Sequence, residues 1–246
     1  MPREWNAAAY DRLGSPMTRW GETVVGWLQL DGDERVLDAG CGTGRVTERL
    51  LERLPRGRVV ALDGSTAMVD RARTRLAPYG DRVEYVVADL SLALPIHEPV
   101  DAVLSTATFH WILDHDALFA NIAAVLQPGG QLAAQCGGVG NAKSIEAALR
   151  QLGENFEGRK QFATPQDTRT RLERAGFTEI KAWLHEEPTD LELEDLEPYL
   201  ATICLGDHVE TMDDGERERF VHEVAIRLPA ARIDYVRLNI RARRAG

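Results

Sequence analysis

The run Val36-Leu37-Asp38-Ala39-Gly40-Cys41-Gly42-Thr43-Gly44 sets glycines at alternate positions directly after a short apolar stretch. Glycine there lets backbone N–H groups approach a ligand that a side chain would block. Dinucleotide-binding turns follow G-x-G-x-x-G, which requires glycine at position 45, where this chain carries Arg45. Gly44 fills the next alternate slot, so the spacing favours a nucleoside ligand without a pyrophosphate. Asp63 ends a second apolar run, where a carboxylate can accept from both ribose hydroxyls. Its plainer alternative is to cap the next helix. Ala88-Asp89-Leu90 closes a third run, and Asp89 can accept from the exocyclic amine of an adenine. Taken alone, Asp89 is a turn residue. Together the three signals reinforce one another, because ligands of open α/β sheets bind at strand ends.

These residues need a frame that brings their strand ends together. Apolar runs at 35–39, 58–63, 83–87, 100–105 and 131–136 read as buried strands. Helix-length segments separate them, among them 65–76 and a helix carrying Leu118, Ile122 and Val125 behind Asp114 and Asp116. Pro128-Gly129-Gly130 breaks that helix. Thr164-Pro165-Gln166-Asp167 reads as a capped helix start, and Gly176 as its stop. Strands follow at 177–184 and 233–242, with an acidic helical stretch at 186–228 between them. The first thirty residues, with Trp5, Tyr10, Trp20 and Trp27, read as helical. Strand–helix alternation of this kind predicts an α/β fold, a parallel sheet with helices on both faces.

A chain of 246 residues predicts one enlarged domain, and 44% apolar with 28% charged residues excludes disorder, collagen and coiled coil. No apolar run is long enough to span a bilayer, so no membrane association is expected. Cys41, Cys136 and Cys204 are widely spaced and odd in number, which argues against a disulfide framework or zinc module. With no signal-peptide core after Met1, the expectation is a reduced, cytoplasmic protein. Net charge is −10, and residues 184–218 hold thirteen acidic side chains against one basic, Arg217. With no basic stripe to offset that segment, a nucleic-acid partner is not expected.

On the segments Asp38 to Gly44, Asp63, Ala88-Asp89-Leu90 and Leu126-Gln127-Pro128-Gly129-Gly130, the chain resembles the class I S-adenosylmethionine-dependent methyltransferases. The nearer likeness is to the small-molecule, trans-aconitate methyltransferase type. The resemblance implies a Rossmann-like seven-stranded sheet of order 3-2-1-4-5-7-6 with the last strand antiparallel. It implies S-adenosylmethionine as cofactor, held by Asp38, Gly40, Cys41, Gly42, Gly44, Asp63, Gly64, Met68, Ala88, Asp89, Leu90 and Thr106. It implies a small-molecule substrate contacted by Tyr10, Arg19, Trp20, His110 and Trp111. Residues 1–30 would form a helical lid, and 186–228 an acidic helical cap. A catalytically idle S-adenosylmethionine binder is the alternative, and a nicotinamide-dependent oxidoreductase is disfavoured by Arg45 and Asp89.

His110, between Phe109 and Trp111, is the histidine that the motif map puts near the methyl end. General base, neutral hydrogen bonder and packing residue are all open roles for it. A carboxylate nucleophile is already ionised and needs no base, whereas a phenol or amine does. His110, Asp114, His115 and Asp116 span a loop and a helix start without converging, so no metal is expected. Cys41 reads as a small residue of the turn, not a nucleophile. Tyr235, Arg237 and Asn239 alternate on one face of the last strand. That face is a solvated sheet edge, or else Arg237 pairs with a substrate carboxylate.

Overall fold

Five apolar runs become the parallel part of one sheet in the computed structural model, which describes residues 5, 7, 8, 11 and 15–246. They are β1 (Arg35–Ala39), β2 (Arg58–Asp63), β3 (Val83–Val87), β4 (Val100–Thr106) and β5 (Leu126–Gly137). After β6 (Phe177–Glu186) comes a ribbon of two-residue strands, β7 (Thr189–Asp190) and β8 (Arg232–Ile233). The final strand, β9 (Val236–Arg244), runs antiparallel between β5 and β6. The order β3-β2-β1-β4-β5-β9-β6 is the seven-stranded Rossmann-like sheet that the resemblance implies.

Alternation along each strand decides which helices cover which face. Val36, Val59, Ala61 and Leu104 pack under α1 (Ser15–Val25), α2 (Arg45–Glu52) and α3 (Thr66–Leu76). Leu37, Val60, Leu62 and Val103 pack under α4 (His115–Val125) and, after α5 (Lys143–Gln151), α6 (Pro165–Arg174). Burying each leucine of this kind contributes about 1.5–3 kcal/mol. A third cluster joins Trp20, Ile145, Tyr199, Leu200, Val224 and Tyr235. It seats the acidic segment, whose helices are α7 (Leu193–Tyr199), α8 (Gly206–Val209) and α9 (Asp214–Ala225). No helix among the described residues is long and apolar enough to cross a membrane.

Two elements depart from the sequence expectation. The strand expected at 233–242 is split, because Asp234 turns aside to accept from the Ser144 N–H and hydroxyl at 3.0 and 2.6 Å. That same contact caps α5, a helix the sequence does not announce: Ala142 precedes it and has no side chain to cap with. Ahead of β1, α1 sends its C-terminal half into the core. Val24 and Val25 are buried against the sheet, and Gly21 lets α1 approach α2 so closely that a Cβ there would meet Val46 at 2.3 Å.

Candidate active site

The three glycines after β1 have φ of 89°, 53° and 82°, and each does a different job. A Cβ on Gly40 would meet the Thr108 side chain at 2.1 Å, so this glycine admits the loop after β4. A Cβ on Gly44 would stand 3.3 Å from Ala72, so this one lets α2 approach α3. A Cβ on Gly42 would meet nothing within 4 Å among the described residues. Gly42 instead borders a cavity of about 490 Å³ that runs across the strand ends. Main-chain bonds from the Gly40 and Cys41 N–H groups to the Leu62 carbonyl, 2.8 and 2.9 Å long, hold the turn. Asp63 completes it, accepting from the Gly42 and Ser65 N–H groups at 2.9 Å each. Ser65 in turn caps α3 by accepting from the Met68 N–H. Asp89, also in the cavity wall, accepts from the Ser91 N–H and hydroxyl at 2.9 and 2.7 Å.

The far end of the cavity is built from β9, the loop after β4 and the acidic segment. Arg237 is buried, its guanidinium 4.4 Å from the Trp20 ring centroid, with Nε donating to Gln135 Oε1 at 3.3 Å. His110 stacks on Phe162 at 5.9 Å, and its Nδ1 accepts from the Gly137 N–H at 3.3 Å. Burial, and then the positive charges of Arg237 and Lys160, hold its pKa well below the ordinary imidazole value. The ring is therefore neutral near pH 7, and the bond at Nδ1 leaves its proton on Nε2. Lys160 Nζ donates to both Asp207 carboxylate oxygens, at 2.7 and 2.9 Å, and stands 4.5 Å from the Trp111 and Phe156 ring centroids. Burial alone would raise the Asp207 carboxyl, but the His208 hydrogen bond and the Lys160 ammonium outweigh it and hold the group ionised. Ala107 and Ala142, both in the wall, have φ of 56° and 52°. Left-handed backbone costs an alanine about 1–2 kcal/mol, strain of the kind that collects at binding sites.

A glycine turn, two strand-end carboxylates and an arginine-bearing far end share one cavity. A family model described as a methyltransferase domain matches residues 36–130. A trans-aconitate 2-methyltransferase of Methylobacterium nodulans is 32% identical over 185 residues, which cover 74% of this chain and 67% of the relative. The chain belongs to the class I S-adenosylmethionine-dependent methyltransferases. A trans-aconitate 2-methyltransferase of Acidovorax ebreus is 33% identical over 169 residues, 69% of this chain and 63% of the relative. The matched part thus spans about half to two thirds of the curated relatives. Among solved structures, the YcgJ protein of Bacillus subtilis superposes with a TM-score of 0.66 at 14% identity, covering 93% of this chain and 99% of that one. A Haemonchus contortus phosphoethanolamine N-methyltransferase, solved with S-adenosylhomocysteine, gives 0.66 at 20% identity, covering 98% and 57%. Both share the fold.

In this chain, Gly40, Gly42, Asp63, Gly64, Met68, Ala88, Asp89, Leu90 and Thr106 line the cavity, as do His110, Trp111 and Arg237. Asp38, Cys41 and Gly44 do not. Asp38 is fully buried behind the turn, accepting from the Thr47 hydroxyl at 2.6 Å, and burial pushes its carboxyl up to about 7. Its Oδ1 has no hydrogen-bond partner among the described residues. Cys41 packs toward α2, and burial raises its thiol well above the ordinary value, so it is no nucleophile. Arg19 faces solvent in an ion pair with Glu187 at 2.9 Å, and Trp20 supports Arg237 from behind. Tyr10 lies outside the described residues. Lys160, Phe162 and Asp207 join the wall without any local signal: Lys160 and Phe162 sit in a loop, and Asp207 is one acid in an acidic run.

Arg45 has a role beyond marking a departure from the dinucleotide pattern. With Arg71 and Arg75 it grips Asp11 at 2.9–3.0 Å, and the Thr43 hydroxyl donates to the same carboxylate at 2.6 Å. Burial would raise Asp11, but these partners outweigh it and lower the carboxyl to about 2. Being depressed, the group stabilises the fold above its unfolded value of 3.8 and loses that effect as pH falls through about 2. Asp11→Asn should therefore cost about 2 kcal/mol at pH 7, and less at pH 3. Urea denaturation of both proteins at the two pH values measures this. An equal loss at both would remove the ionised carboxylate as the cause.

Proposed function

We propose that this chain transfers a methyl group from S-adenosylmethionine to a carboxylate oxygen of a small-molecule acid. One observation carries the reading: the cavity that holds the glycine turn, Asp63 and Asp89 at one end holds Arg237 and His110 at the other. The residues present fit the cofactor. Gly42 leaves open space where any other residue would project into the cavity. Asp63 would take the ribose hydroxyls, Asp89 the adenine amine, and Met68, Ala88 and Leu90 the faces of the base. The cofactor, when bound, supplies an electrophilic methyl group on a sulfonium.

The protein's own part is alignment in a dry site. Arg237 presents a guanidinium whose plane Trp20 and Gln135 fix, the geometry a carboxylate accepts in two parallel bonds. His110 offers Nε2–H to a substrate oxygen. The acidic segment closes this end between α7 and α8, with Ile203, Cys204 and Asp207 in the wall. The names of the matched relatives, trans-aconitate 2-methyltransferases, support an acid as acceptor. Three free, buried cysteines suit the reducing cytoplasm, where we place the protein.

Incubating the protein with methyl-labelled S-adenosylmethionine and panels of acids, phenols and amines tests the reading. An alkali-labile methyl ester is the expected product; transfer to amines or phenols alone would overturn it. His110→Ala should raise KM by ~10-fold or more while kcat falls less, as expected for a lost substrate contact. Because the ring is already neutral, the native kcat/KM profile should be flat from pH 6 to 8. An ascending limb near 6.5 that vanishes in the variant would make His110 a base instead.

A further inference from the structure

Resting on the reading that Arg237 meets the substrate carboxylate, we propose that Asn239 and Gln135 are positioning residues for that contact. They act through the Arg237 guanidinium without reaching the cavity themselves. Strand β9 carries Arg237 and Asn239 on one face, with Gln135 of β5 directly across from Asn239 and His185 of β6 directly across from Arg237. Gln135 is 3% exposed and Asn239 fully buried, and neither borders the cavity. Buried amides are costly unless their polar atoms are paired. Here the pairing runs in one direction. Arg237 Nε donates to Gln135 Oε1 at 3.3 Å, Gln135 Nε2 to Asn239 Oδ1 at 2.9 Å, and Asn239 Nδ2 to His185 Nδ1 at 2.8 Å. With Nδ1 accepting, the imidazole proton sits on Nε2 and is donated to Glu187 at 2.9 Å. Arg19 donates to the same carboxylate at the surface.

Two main-chain carbonyls decide that direction. Asn239 Nδ2 also donates to the Trp183 and Arg237 carbonyl oxygens, each at 3.3 Å, and a carbonyl can only accept. The amide nitrogen of Asn239 is thereby held on that side, and its oxygen is left facing Gln135. Gln135 must answer with its nitrogen, which turns its own oxygen toward Arg237. A guanidinium can only donate, so a reversed Gln135 would set N–H against N–H. The Trp20 ring lies 4.4 Å from the guanidinium carbon and sets the plane of the group. A ring face does not fix rotation within that plane, whereas an acceptor at Nε does. Two parallel bonds to a carboxylate require both constraints.

Steady-state methylation of the best acceptor among trans-aconitate, succinate and trans-cinnamate tests this through a cycle of Asn239→Leu and Arg237→Gln. Asn239→Leu should raise KM for the acid by ~10-fold or more with a smaller fall in kcat. Its calorimetric affinity for S-adenosylhomocysteine should stay within ~2-fold of native, since the cofactor end is untouched. In the Arg237→Gln background the same substitution should change KM by less than ~2-fold. Asn239→Asp should stay within ~3-fold of native, because a carboxyl buried there takes up a proton and can then accept from Gln135 and donate toward β6. Equal factors in both backgrounds, or a native KM in folded Asn239→Leu protein, overturns the inference and leaves Arg237 as the carboxylate partner. An unchanged KM in Arg237→Gln, or transfer to none of the three acids while S-adenosylhomocysteine still binds, overturns the reading and the inference with it. If Asn239→Leu does not fold, Gln135→Met takes its place in the cycle with the same expected outcomes.

Discussion

Gly42→Val should abolish cofactor binding while leaving a folded chain. At φ of 53° an L-residue is strained, and a β-branched one more so. That strain is about 1–2 kcal/mol, a fraction of the ~5–15 kcal/mol that ordinarily separates folded from unfolded states. The described residues offer no collision, since a Cβ at this position meets nothing within 4 Å. The γ-methyl groups would therefore occupy cavity, not displace wall. Calorimetry with S-adenosylhomocysteine should detect no binding, and a cooperative thermal transition should persist a few degrees lower. Gly40→Ala is the contrast. Its Cβ would lie 2.1 Å from the Thr108 side chain, so the loss there should show first in stability. Normal cofactor binding by a folded Gly42→Val protein would mean that the turn does not border the cofactor.

The sheet was legible because its information is local. Buried strands such as Arg35–Ala39 announce themselves as apolar runs, and Thr164-Pro165 with Gly176 mark a helix at both ends. Helix Lys143–Gln151 was not legible for the opposite reason. Its capping group is Asp234, ninety residues away in sequence, so no local pattern could carry the signal. The same long-range bond interrupts what reads as one continuous strand from 233 to 242. In each case tertiary contact overrode a local tendency.

The candidate site divides along the same line. Gly40, Gly42, Asp63 and Asp89 were readable because they sit at the ends of consecutive strands, and topology alone brings such ends together. Asp38 at the end of β1 and Cys41 in the turn are buried in the core, and Gly44 faces Ala72, a distinction that spacing cannot make within a tight loop. Lys160 and Asp207 meet only because the acidic segment folds back over the sheet. Charge composition treats Asp207 as one of thirteen solvated acids between 184 and 218, although burial and a lysine set it apart.

Asp63→Ala should weaken S-adenosylhomocysteine binding by ~30-fold or more, through two effects that can be separated. Two charge-assisted hydrogen bonds from ribose hydroxyls would be lost, worth about 2–4 kcal/mol. The carboxylate also accepts from the Gly42 and Ser65 N–H groups, so its removal loosens the turn and the start of α3. Asparagine is no rescue, because its amide would set a donor against one of those N–H donors. A coupling cycle resolves the two effects: native and variant proteins, each titrated with S-adenosylhomocysteine and with its 2′,3′-dideoxy analogue. If Asp63 holds the ribose, the substitution should cost the dideoxy ligand much less than the natural one. The loss that remains on the dideoxy ligand then measures what the carboxylate does for the turn. Equal losses on both ligands would place Asp63 wholly in the architecture of the glycine turn and leave the ribose to another group.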